Sequence, residues 1–515
     1  MFVKTFGSAV HGVDAITITV EVNWNAQGKE YCIVGLPDPA IKESMQRVES
    51  SIKSIGFEMP RTRILINLAP ADIKKSGTAF DLPIAIGILA ASEQIELTEI
   101  FEKFIMMGEL SLDGALRPIR GALPIAVSAA RQGFNGFILP EMNCREAALV
   151  QEIAAYGMLH LNDVVAFITS GGVSKDPIRI DLKKEFIDPQ EKIEHDFAEV
   201  KGQENIKRAL EIAASGGHNV ILIGPPGAGK TMLAKRLSSI LPPLTLEEAL
   251  ESTKIHSVAG KHAENAALIT RRPFRNPHHS ISDIALVGGG STPQPGEISL
   301  AHHGVLFLDE LPEFKRTVLE VMRQPMEERK VTISRAKTTV EFPSAFMLIA
   351  SMNPCPCGFY NHPERNCHCP PGAVAKYLNK ISGPLLDRID LHVEVTPVTF
   401  SSLSSVMPAE SSSVIRRRVI QAREIQTMRY RDQPGVHNNA QIGPGELKKI
   451  CHLDEASQLL LKKAMERLNL SARAYDRILK VSRTIADLSA SEHISTEHVA
   501  EAIQFRNLDR EGWGG

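Results

Sequence analysis

The stretch that most constrains the fold is "HNVILIGPPGAGKTMLAKRLSSIL", residues 218–241. An apolar strand pattern leads into Gly224-x-x-x-x-Gly229-Lys230-Thr231, and a helical pattern follows, which is the order of elements typical of a P-loop. Lys230 is expected to reach the β- and γ-phosphates of ATP, and Thr231 to bind Mg²⁺. The residues predicted to bind the cofactor are Gly224, Pro225, Pro226, Gly227, Ala228, Gly229, Lys230, Thr231, Met232 and, from later in the chain, Asp309.

An acidic pair at the end of a second apolar strand predicts the other half of the ATP site. Residues 305–308 in "HHGVLFLDELPEF" are apolar and are followed by Asp309 and Glu310. We expect Asp309 to hold Mg²⁺ through water and Glu310 to orient and deprotonate the attacking water. The pattern over 344–353 predicts a further buried strand ending in Asn353, which could hydrogen-bond the γ-phosphate or the attacking water.

Two arginines are candidates for neutralising charge during phosphoryl transfer. Arg388 lies between apolar stretches in "SGPLLDRIDLHVEV", and in a ring it would serve the neighbouring subunit. The alternative is a simple ion pair with Asp387 or Asp390. Arg473, at the start of a predicted lid helix, is the second candidate, with Arg477 one turn later as its competitor.

Composition places the chain among globular proteins. Its 515 residues, 43% hydrophobic and 23% charged, suffice for roughly three to four domains. No N-terminal signal pattern is present, and the longest apolar run, residues 82–91, is too short to cross a bilayer, so we expect a cytoplasmic protein with no membrane partner. A net charge of -2 gives no global case for nucleic acid, so DNA would need a local basic surface.

Breaks in the sequence pattern predict three globular blocks. Residues 170–196 mix Gly, Pro and charge without periodicity, and residues 399–413 are rich in Ser. The predicted division is 1–170, a linker at 171–196, an ATPase core at 197–398 with a Cys-rich insert at 353–372, a linker at 399–413, and a helical lid at 414–515.

Two insertions in the middle block are candidates for DNA contact. The run Gly288-Gly289-Gly290 with Pro293 and Pro295 predicts a projecting loop. The stretch "RKVTISRAKTTVEF" predicts a β-hairpin turning near 335–337 with basic residues at its tip. In a hexamer both would face the central pore, where phosphates would be gripped by Lys330, Arg335 and Lys337. The alternative is a solvated hairpin.

Four cysteines in "NPCPCGFYNHPERNCHCPPG" predict a metal site. In this chain of seven cysteines, two C-x-C pairs supply four thiolates, enough for a closed tetrahedral zinc site. The predicted ligands are Cys355, Cys357, Cys367 and Cys369. Reduced structural thiols, or a partial site completed by His362 or His368, are the alternatives.

An arginine-rich helix is predicted over residues 413–433. Such a helix is most often a solvated or intersubunit face, and DNA contact is the alternative.

The N-terminal block resembles the Lon protease fold. "RILINLAPADIKKSGTAFDLPIAIGILAA", residues 63–91, predicts a strand, a loop and an apolar helix. The Lon resemblance puts the nucleophile position at Ala79 and the lysine position at Leu123, so we expect a proteolytically inactive domain used for ring assembly or DNA contact. A shifted dyad of Ser76 with Lys74 or Lys75 is the weaker alternative, and the two lysines are also candidate phosphate contacts.

Taken together, these motifs resemble the AAA+ ATPases. The long stretch "RPFRNPHHSISDIALVGGGSTPQPGEISLAHHGVLFLDELPEF", with "NPCPCG" and "SGPLLDRID", is similar more narrowly to the magnesium-chelatase-like ComM/YifB family. The resemblance covers essentially the whole chain. It implies an α/β fold in which a P-loop AAA+ parallel sheet with a helical lid follows an α+β Lon-protease-like (S5-type) domain.

The same resemblance implies a function. Members of the family look like homo-hexameric motors that use ATP to migrate branches in DNA. They would act as helicases on single-stranded or branched DNA, in recombination during natural transformation. It further implies that Arg388 is the arginine finger and Arg473 the second sensor. The competing expectation is a chelatase-type ATPase that remodels a protein or metal-inserting partner; a protease is disfavoured by Ala79.

Overall fold

The computed structural model describes most of the chain. The described residues are 1–25, 31–73, 75, 77–187, 195–261, 268–290, 292–335, 338–360, 362, 364–397, 409–433 and 435–506. Lys74, Ser76 and Lys337, together with most of the Ser-rich segment 399–413, lie outside these ranges.

The N-terminal block is built on a mixed seven-stranded sheet in the order β3-β4-β2-β1-β5-β8-β9. Its elements are β1 (Phe2–His11), β2 (Asp14–Asn25), β3 (Tyr31–Val34), α1 (Pro39–Ser54), β4 (Arg63–Ala69), α2 (Asp81–Ala91), α3 (Ile100–Lys103), β5 (Phe104–Met106), β6 (Glu109–Leu110), β7 (Leu116–Arg117), α4 (Ala122–Arg131), β8 (Gly136–Pro140), α5 (Glu141–Ala147), β9 (Ala154–Met158), α6 (Leu161–Thr169) and α7 (Leu182–Ile187).

The apolar run at 82–91 is a core helix. Every residue of α2 is buried, because the helix is packed against β1, β2 and α1. A helix that is apolar on all sides is expected in such a position. Among the described residues, no helix combines the length and the apolar character needed to cross a membrane.

The middle block carries the predicted parallel sheet, in the order β11-β14-β17-β10-β18. Its elements are α8 (Glu204–Gly216), β10 (Val220–Ile223), α9 (Lys230–Ile240), α10 (Leu246–Val258), β11 (Phe274–Arg275), α11 (Asp283–Val287), β12 (Gly288–Gly289), β13 (Gln294–Pro295), α12 (Glu297–Leu300), β14 (Val305–Leu308), α13 (Arg316–Val321), α14 (Arg323–Glu328), β15 (Lys330–Arg335), β16 (Thr338–Pro343), β17 (Met347–Met352), α15 (Ala373–Leu378), α16 (Gly383–Leu386) and β18 (Leu391–Glu394).

The strands of this sheet are buried and in register. Val220 of β10 pairs with Ile349 of β17 on one side and with Leu391 of β18 on the other, and all these pairings are parallel. Strands buried on both faces lack the alternation of polar and apolar residues, as the sequence of β10, "VILI", shows. The carboxyl ends of the strands therefore meet at one edge, where the P-loop begins.

The two insertions lie side by side. Strands β15 and β16 form the predicted antiparallel hairpin, with Arg335 opposite Thr338 and a two-residue connection between them. The small β12–β13 ladder packs beside it, since a Cβ at Gly289 would lie 3.6 Å from Arg335 Nη2. One expectation is corrected: Lys330 lies at the base of the hairpin, opposite Pro343, and forms a 2.9 Å ion pair with Glu341.

The C-terminal block is helical, as predicted. Its helices are α17 (Ser412–Tyr430), α18 (Pro444–Ile450), α19 (Glu455–Leu468), α20 (Ala472–Leu488) and α21 (Thr496–Gln504). The arginine-rich helix α17 differs from expectation because much of its charge is turned inward. Arg418 pairs with Glu211 of α8, Arg423 donates to Ala214 O at the end of α8, and Arg429 pairs with Asp487 of α20. The first two contacts join α17 to the ATPase core, and the third joins it to α20 within the C-terminal block.

The N-terminal and middle blocks share a core. Leu244, Ala249 and Leu268, all from the middle block, are buried within the N-terminal hydrophobic cluster, where α10 packs against α4. At a second contact, a Cβ at Gly12 in the β1–β2 turn would lie 3.0 Å from Val340 Cγ1 in the hairpin. The N-terminal block therefore contacts both a core helix of the ATPase and its hairpin.

This shared core predicts that α10 stabilises the N-terminal block. Ala249→Asp should lower the midpoint of thermal unfolding of that block, because an unpaired carboxylate would be buried between α10 and α4. Trp24, which packs against the N-terminal cluster, reports the transition by fluorescence in a Trp513→Phe background.

The matched control is Leu246→Asp on the exposed side of the same helix, and it should leave the Trp24 transition unchanged. An unaltered transition in Ala249→Asp would show that α10 is not part of the N-terminal core.

Candidate functional site

The predicted P-loop connects β10 to α9. Gly227 and Gly229 have φ of +80° and +84°, in the left-handed region that favours glycine. Lys230 folds back over the loop, with Nζ 2.8 Å from Gly224 O and 3.0 Å from Pro225 O. Its ammonium therefore lies at the mouth of the loop, above the first turn of α9.

Side chains that follow two neighbouring strands, β14 and β17, meet Lys230 and Thr231 of the P-loop. Asn353, after β17, accepts a hydrogen bond from Lys230 Nζ at 3.1 Å. Thr231 Oγ1 donates to Asp309 Oδ2 at 2.8 Å, beyond the end of β14. The structure thus brings together the predicted P-loop, acidic-pair and sensor-strand residues at the carboxyl edge of the sheet.

Sequence reasoning missed Ser351. This buried residue of β17 donates a hydrogen bond to Asp309 Oδ1 and so fixes the second oxygen of that carboxylate. The only signal was a small polar residue inside an otherwise apolar strand.

The electrostatics of the site fit a magnesium nucleotide. Burial lowers the pKa of Lys230, while the carboxylates of Asp309 and Glu310 oppose that shift. A partly desolvated ammonium beside a glycine-lined helix N-terminus suits phosphate oxygens, and a hydroxyl next to a carboxylate suits Mg²⁺. The residues present therefore match the donor set that Mg²⁺-ATP needs.

Glu310 lies at the rim of this cluster. Its backbone has φ of +54°, uncommon for a residue other than glycine, and its side chain is 58% exposed. Its carboxylate lies 3.6 Å from His279 Nδ1, and the His279 ring packs edge-on against Phe314. His279 belongs to the insertion before β12 and was not singled out in the sequence.

The predicted arginines lie at the opposite edge of the sheet. Arg388 precedes β18 at its amino end, is 7% exposed, and pairs with Glu327 Oε1 of α14 at 2.5 Å. Its predicted alternative partners are engaged elsewhere: Asp387 with Arg473 at 3.6 Å, and Asp390 with Arg477 at 3.0 Å. Arg388 therefore does form an ion pair, as the alternative expected, but with Glu327 and not with Asp387 or Asp390.

The distance between the two edges prevents Arg388 and Arg473 from contacting the phosphate-binding residues of their own chain. Asn219, which hydrogen-bonds the Asp390 backbone, is five residues before Gly224. At about 3.3 Å per residue the edges are roughly 16 Å apart. Neither Arg388 nor Arg473 comes near Lys230 of its own chain.

The Cys-rich insert brings its four cysteines together. Sγ–Sγ distances are 3.3 Å for Cys355–Cys357, 3.5 Å for Cys357–Cys367 and 3.8 Å for Cys355–Cys367, and all four Sγ atoms lie within 4.8 Å of one another. A tetrahedral site with Zn–S bonds of about 2.3 Å has S–S edges of about 3.8 Å. The thiolates therefore fit zinc.

The alternative with His362 as a ligand is not favoured. His362 Nδ1 accepts hydrogen bonds from the N–H groups of Glu364 and Arg365 at 3.0 and 3.1 Å. His368 is likewise outside the group of ligand atoms that the described residues bring together here.

A second cluster of potential ligands, Glu251 with His302 and His303, is better explained as a hydrogen-bond network. His302 Nδ1 accepts from Ala345 N–H at 2.9 Å, so its Nε2 carries the proton and donates to Glu251 at 3.2 Å. Burial lowers the pKa of His302 to about 4, consistent with this neutral form. A protonated Nε2 cannot ligate a metal.

The Lon-like positions carry no nucleophile. Ala79 and Leu123 present only hydrocarbon, and Leu123 is fully buried, with its N–H bonded to Glu146 at 2.8 Å. Lys75 is also buried and donates to Pro70 O, so the expectation that it contacts DNA phosphates is wrong.

Comparison with known proteins agrees with this geometry. The family model for magnesium chelatase subunit ChlI matches residues 196–403, the model for subunit ChlI of Mg-chelatase matches 20–143, and that for its C-terminal part matches 409–506. Lon protease 2 of Bacillus subtilis is 33% identical over 154 residues, 27% of this chain and 26% of that protein.

Full-length relatives are more similar. The competence protein ComM of Haemophilus influenzae is 43% identical over 507 residues, 98% of this chain and 97% of ComM. YifB of Salmonella typhimurium is 44% identical over 509 residues, 98% of this chain and 96% of YifB. With its P-loop at the carboxyl edge of a parallel sheet and a Lon-like block before it, the chain belongs to the ComM/YifB family of magnesium-chelatase-like AAA+ ATPases.

Proposed function

We propose that the protein is an ATP-driven hexameric motor that migrates branches in DNA. The observation that carries this proposal is the separation of the ATP residues from Arg388 and Arg473 on opposite edges of one sheet. An arginine that completes the site must then come from a neighbouring subunit, as it does in a ring with heterologous interfaces.

Within one subunit, each polar group at the carboxyl edge has a distinct task. The P-loop N–H groups and Lys230 bind phosphate oxygens, and Thr231 with Asp309 would hold Mg²⁺, which would supply positive charge beside the transferring group. Glu310, at the exposed rim, takes the proton of the attacking water, and Asn353 orients that water or the γ-phosphate.

The neighbouring subunit supplies positive charge. Arg388 leaves Glu327 and turns toward the phosphates of the adjacent subunit, as an arginine finger does. Arg473, 60% exposed and 3.6 Å from Asp387, is the second phosphate contact.

Two independent observations support DNA as the substrate. The first is full-length similarity to a protein named for competence. The second is the β15–β16 hairpin, which has Arg335 at its tip and packs beside the β12–β13 ladder. We propose that Arg335, together with Lys337 two residues later in the chain, contacts DNA phosphates in the pore, and that Lys330 contributes less because Glu341 neutralises it.

We also propose that zinc holds together the Cys-rich insert, which packs against the P-loop. The insert touches the loop directly, since a Cβ at Gly358 would lie 2.5 Å from Pro226 Cδ. A closed four-thiolate site has no open position for catalysis, so its role is to hold the segment after Asn353 in place. The Lon-like block is a proteolytically inactive assembly domain.

A second candidate function is favoured by the family models, all three of which describe a chelatase subunit. An ATPase of that kind remodels a protein partner and has no use for DNA. Stimulation of ATP hydrolysis by DNA distinguishes the two functions.

Glu310→Gln should lower kcat for ATP roughly 10²–10⁴-fold while preserving ATP binding, because the amide cannot accept the proton of water. Hydrolysis is measured with and without forked DNA, beside Lys230→Ala, which should lose ATP binding. Glu313→Gln, an exposed neighbour paired with Lys380, is the control. ATPase activity of the unmodified protein that does not respond to DNA would favour the second function.

Glu327→Gln should raise kcat up to about fivefold, since weakening a partly exposed ion pair frees Arg388 for the adjacent subunit. Glu328→Gln, at the next residue and hydrogen-bonded to Gln324 rather than to Arg388, serves as the matched variant and should behave as the unmodified protein. If Glu327→Gln instead abolished hydrolysis as Arg388→Ala does, the pair would be part of the active arrangement.

Elemental analysis should find about one zinc per chain, and none in Cys367→Ser, because three thiolates rarely retain a structural zinc. The variant should also have a lower Tm than the matched variant Cys32→Ser, whose thiol lies outside the cluster. The proposal would be contradicted if the unmodified protein contained little zinc and Cys367→Ser had an unchanged Tm.

A further inference from the structure

We infer that Arg477 is a positioning residue for the arginine finger, acting through Asp390 to fix the segment that carries Arg388. This inference rests on the proposed function, in which Arg388 serves the adjacent subunit. It assigns Arg477 a role different from that of Arg473, although both lie in the first turns of α20.

Two ion pairs hold the finger segment from one helix. Arg473 and Arg477 are one turn apart on α20, and their partners, Asp387 and Asp390, flank Arg388 in sequence. The first pair is exposed and long, at 3.6 Å, whereas the second joins Arg477 at 3.0 Å to a carboxylate that is 1% exposed. The buried pair is therefore the firmer connection between α20 and the finger segment.

Asp390 is fixed to the sheet as well as to α20. Its Oδ2 accepts a hydrogen bond from Asn219 N–H at 2.9 Å, just before β10. The Asn219 side chain donates to Arg388 O at 3.1 Å and accepts from Leu348 N–H of β17 at 2.8 Å. The hydrogen bonds of Asn219 thus join β10 and β17 to the backbone of Arg388.

Charge makes this connection depend on Arg477. Burial by itself would raise the pKa of Asp390, but Arg477 and the hydrogen bonds to the carboxylate hold it below its ordinary range. The nearby imidazole of His218 is buried, and burial lowers its pKa, so it is neutral at pH 7 and does not replace the missing charge. Without Arg477, the buried carboxylate would lose the cation with which it forms an ion pair and would keep only the weaker attraction of Lys480, a costly change that the finger segment would have to accommodate.

The same contacts argue against Arg477 as a phosphate contact. If Arg477 turned away, Asp390, which is only 1% exposed, would stay buried without it, whereas Glu327 and Asp387, the partners of Arg388 and Arg473, are 52% and 30% exposed and can be solvated. Of the two arginines, Arg473 is the one free to turn toward a neighbour.

The experiment is subunit mixing with the full-length protein, using Arg477→Gln. The pair borders a cavity of about 350 Å³, so the shorter side chain is accommodated without a clash. Alone, Arg477→Gln should lose at least about tenfold in kcat with ATP affinity unchanged, because its own P-loop is intact. Arg477→Lys keeps the positive charge and should retain most of the activity.

Mixing shows on which side of the interface the residue acts. Arg477→Gln subunits have an intact P-loop, and Lys230→Ala subunits have an intact finger, so a mixture of the two should recover activity. In a random 1:1 mixture up to about a quarter of the interfaces are competent. Arg477→Gln mixed with Arg388→Ala should recover none, because both lack a working finger.

Two outcomes separate this inference from the proposed function. If Arg388→Ala with Lys230→Ala recovers nothing, the shared active site itself is wrong. If that pair recovers activity but Arg477→Gln with Lys230→Ala does not, Arg477 acts on its own subunit and the inference is overturned. The inference would also be overturned if Arg477→Lys assembled as the unmodified protein does but was as inactive as Arg388→Ala.

Discussion

The parallel sheet of the ATPase core keeps the phosphate-binding residues and the arginines apart. Parallel strands collect their carboxyl ends at one edge, where Lys230, Asp309 and Asn353 meet. Arg388 precedes β18 and therefore lies at the other edge. Because the register of a parallel sheet is fixed by buried side chains, this separation cannot be removed by a loop movement. Assembly, in this account, is a requirement for hydrolysis.

A few direct contacts connect the elements of the ATPase core to the rest of the molecule. The Cys-rich insert touches the P-loop at Pro226 and follows the sensor residue Asn353 in the chain. On the opposite edge, Asp390 and Asn219 join the central strands to α20. The hairpin proposed to grip DNA is contacted at Val340 by the N-terminal block. In this account, a change in phosphate contacts would act on the neighbouring blocks through these contacts.

Local sequence patterns were sufficient to predict the strands and the hairpin but not to predict which charged side chains pair with each other. The strand before Gly224, the strand before Asp309 and the hairpin turning near Arg335 follow from periodicity and turn chemistry, and the structure has all three. The partner of Arg388 was missed, because Glu327 is distant in sequence and nothing local indicates it.

The same limitation explains the inward-facing arginines of α17. Their charge predicted an outer face, but their partners on α8 lie some two hundred residues earlier in the chain. Pairings of this kind depend on how the helices pack, which a single sequence does not encode locally.

The proposal that ATP is hydrolysed between neighbouring subunits of a hexamer is tested most directly by the mass of the assembled particle. Glu310→Gln with ATP and branched DNA should have the mass of six chains of 56.4 kDa, about 338 kDa, plus the DNA. A particle with the mass of one chain under these conditions would contradict it.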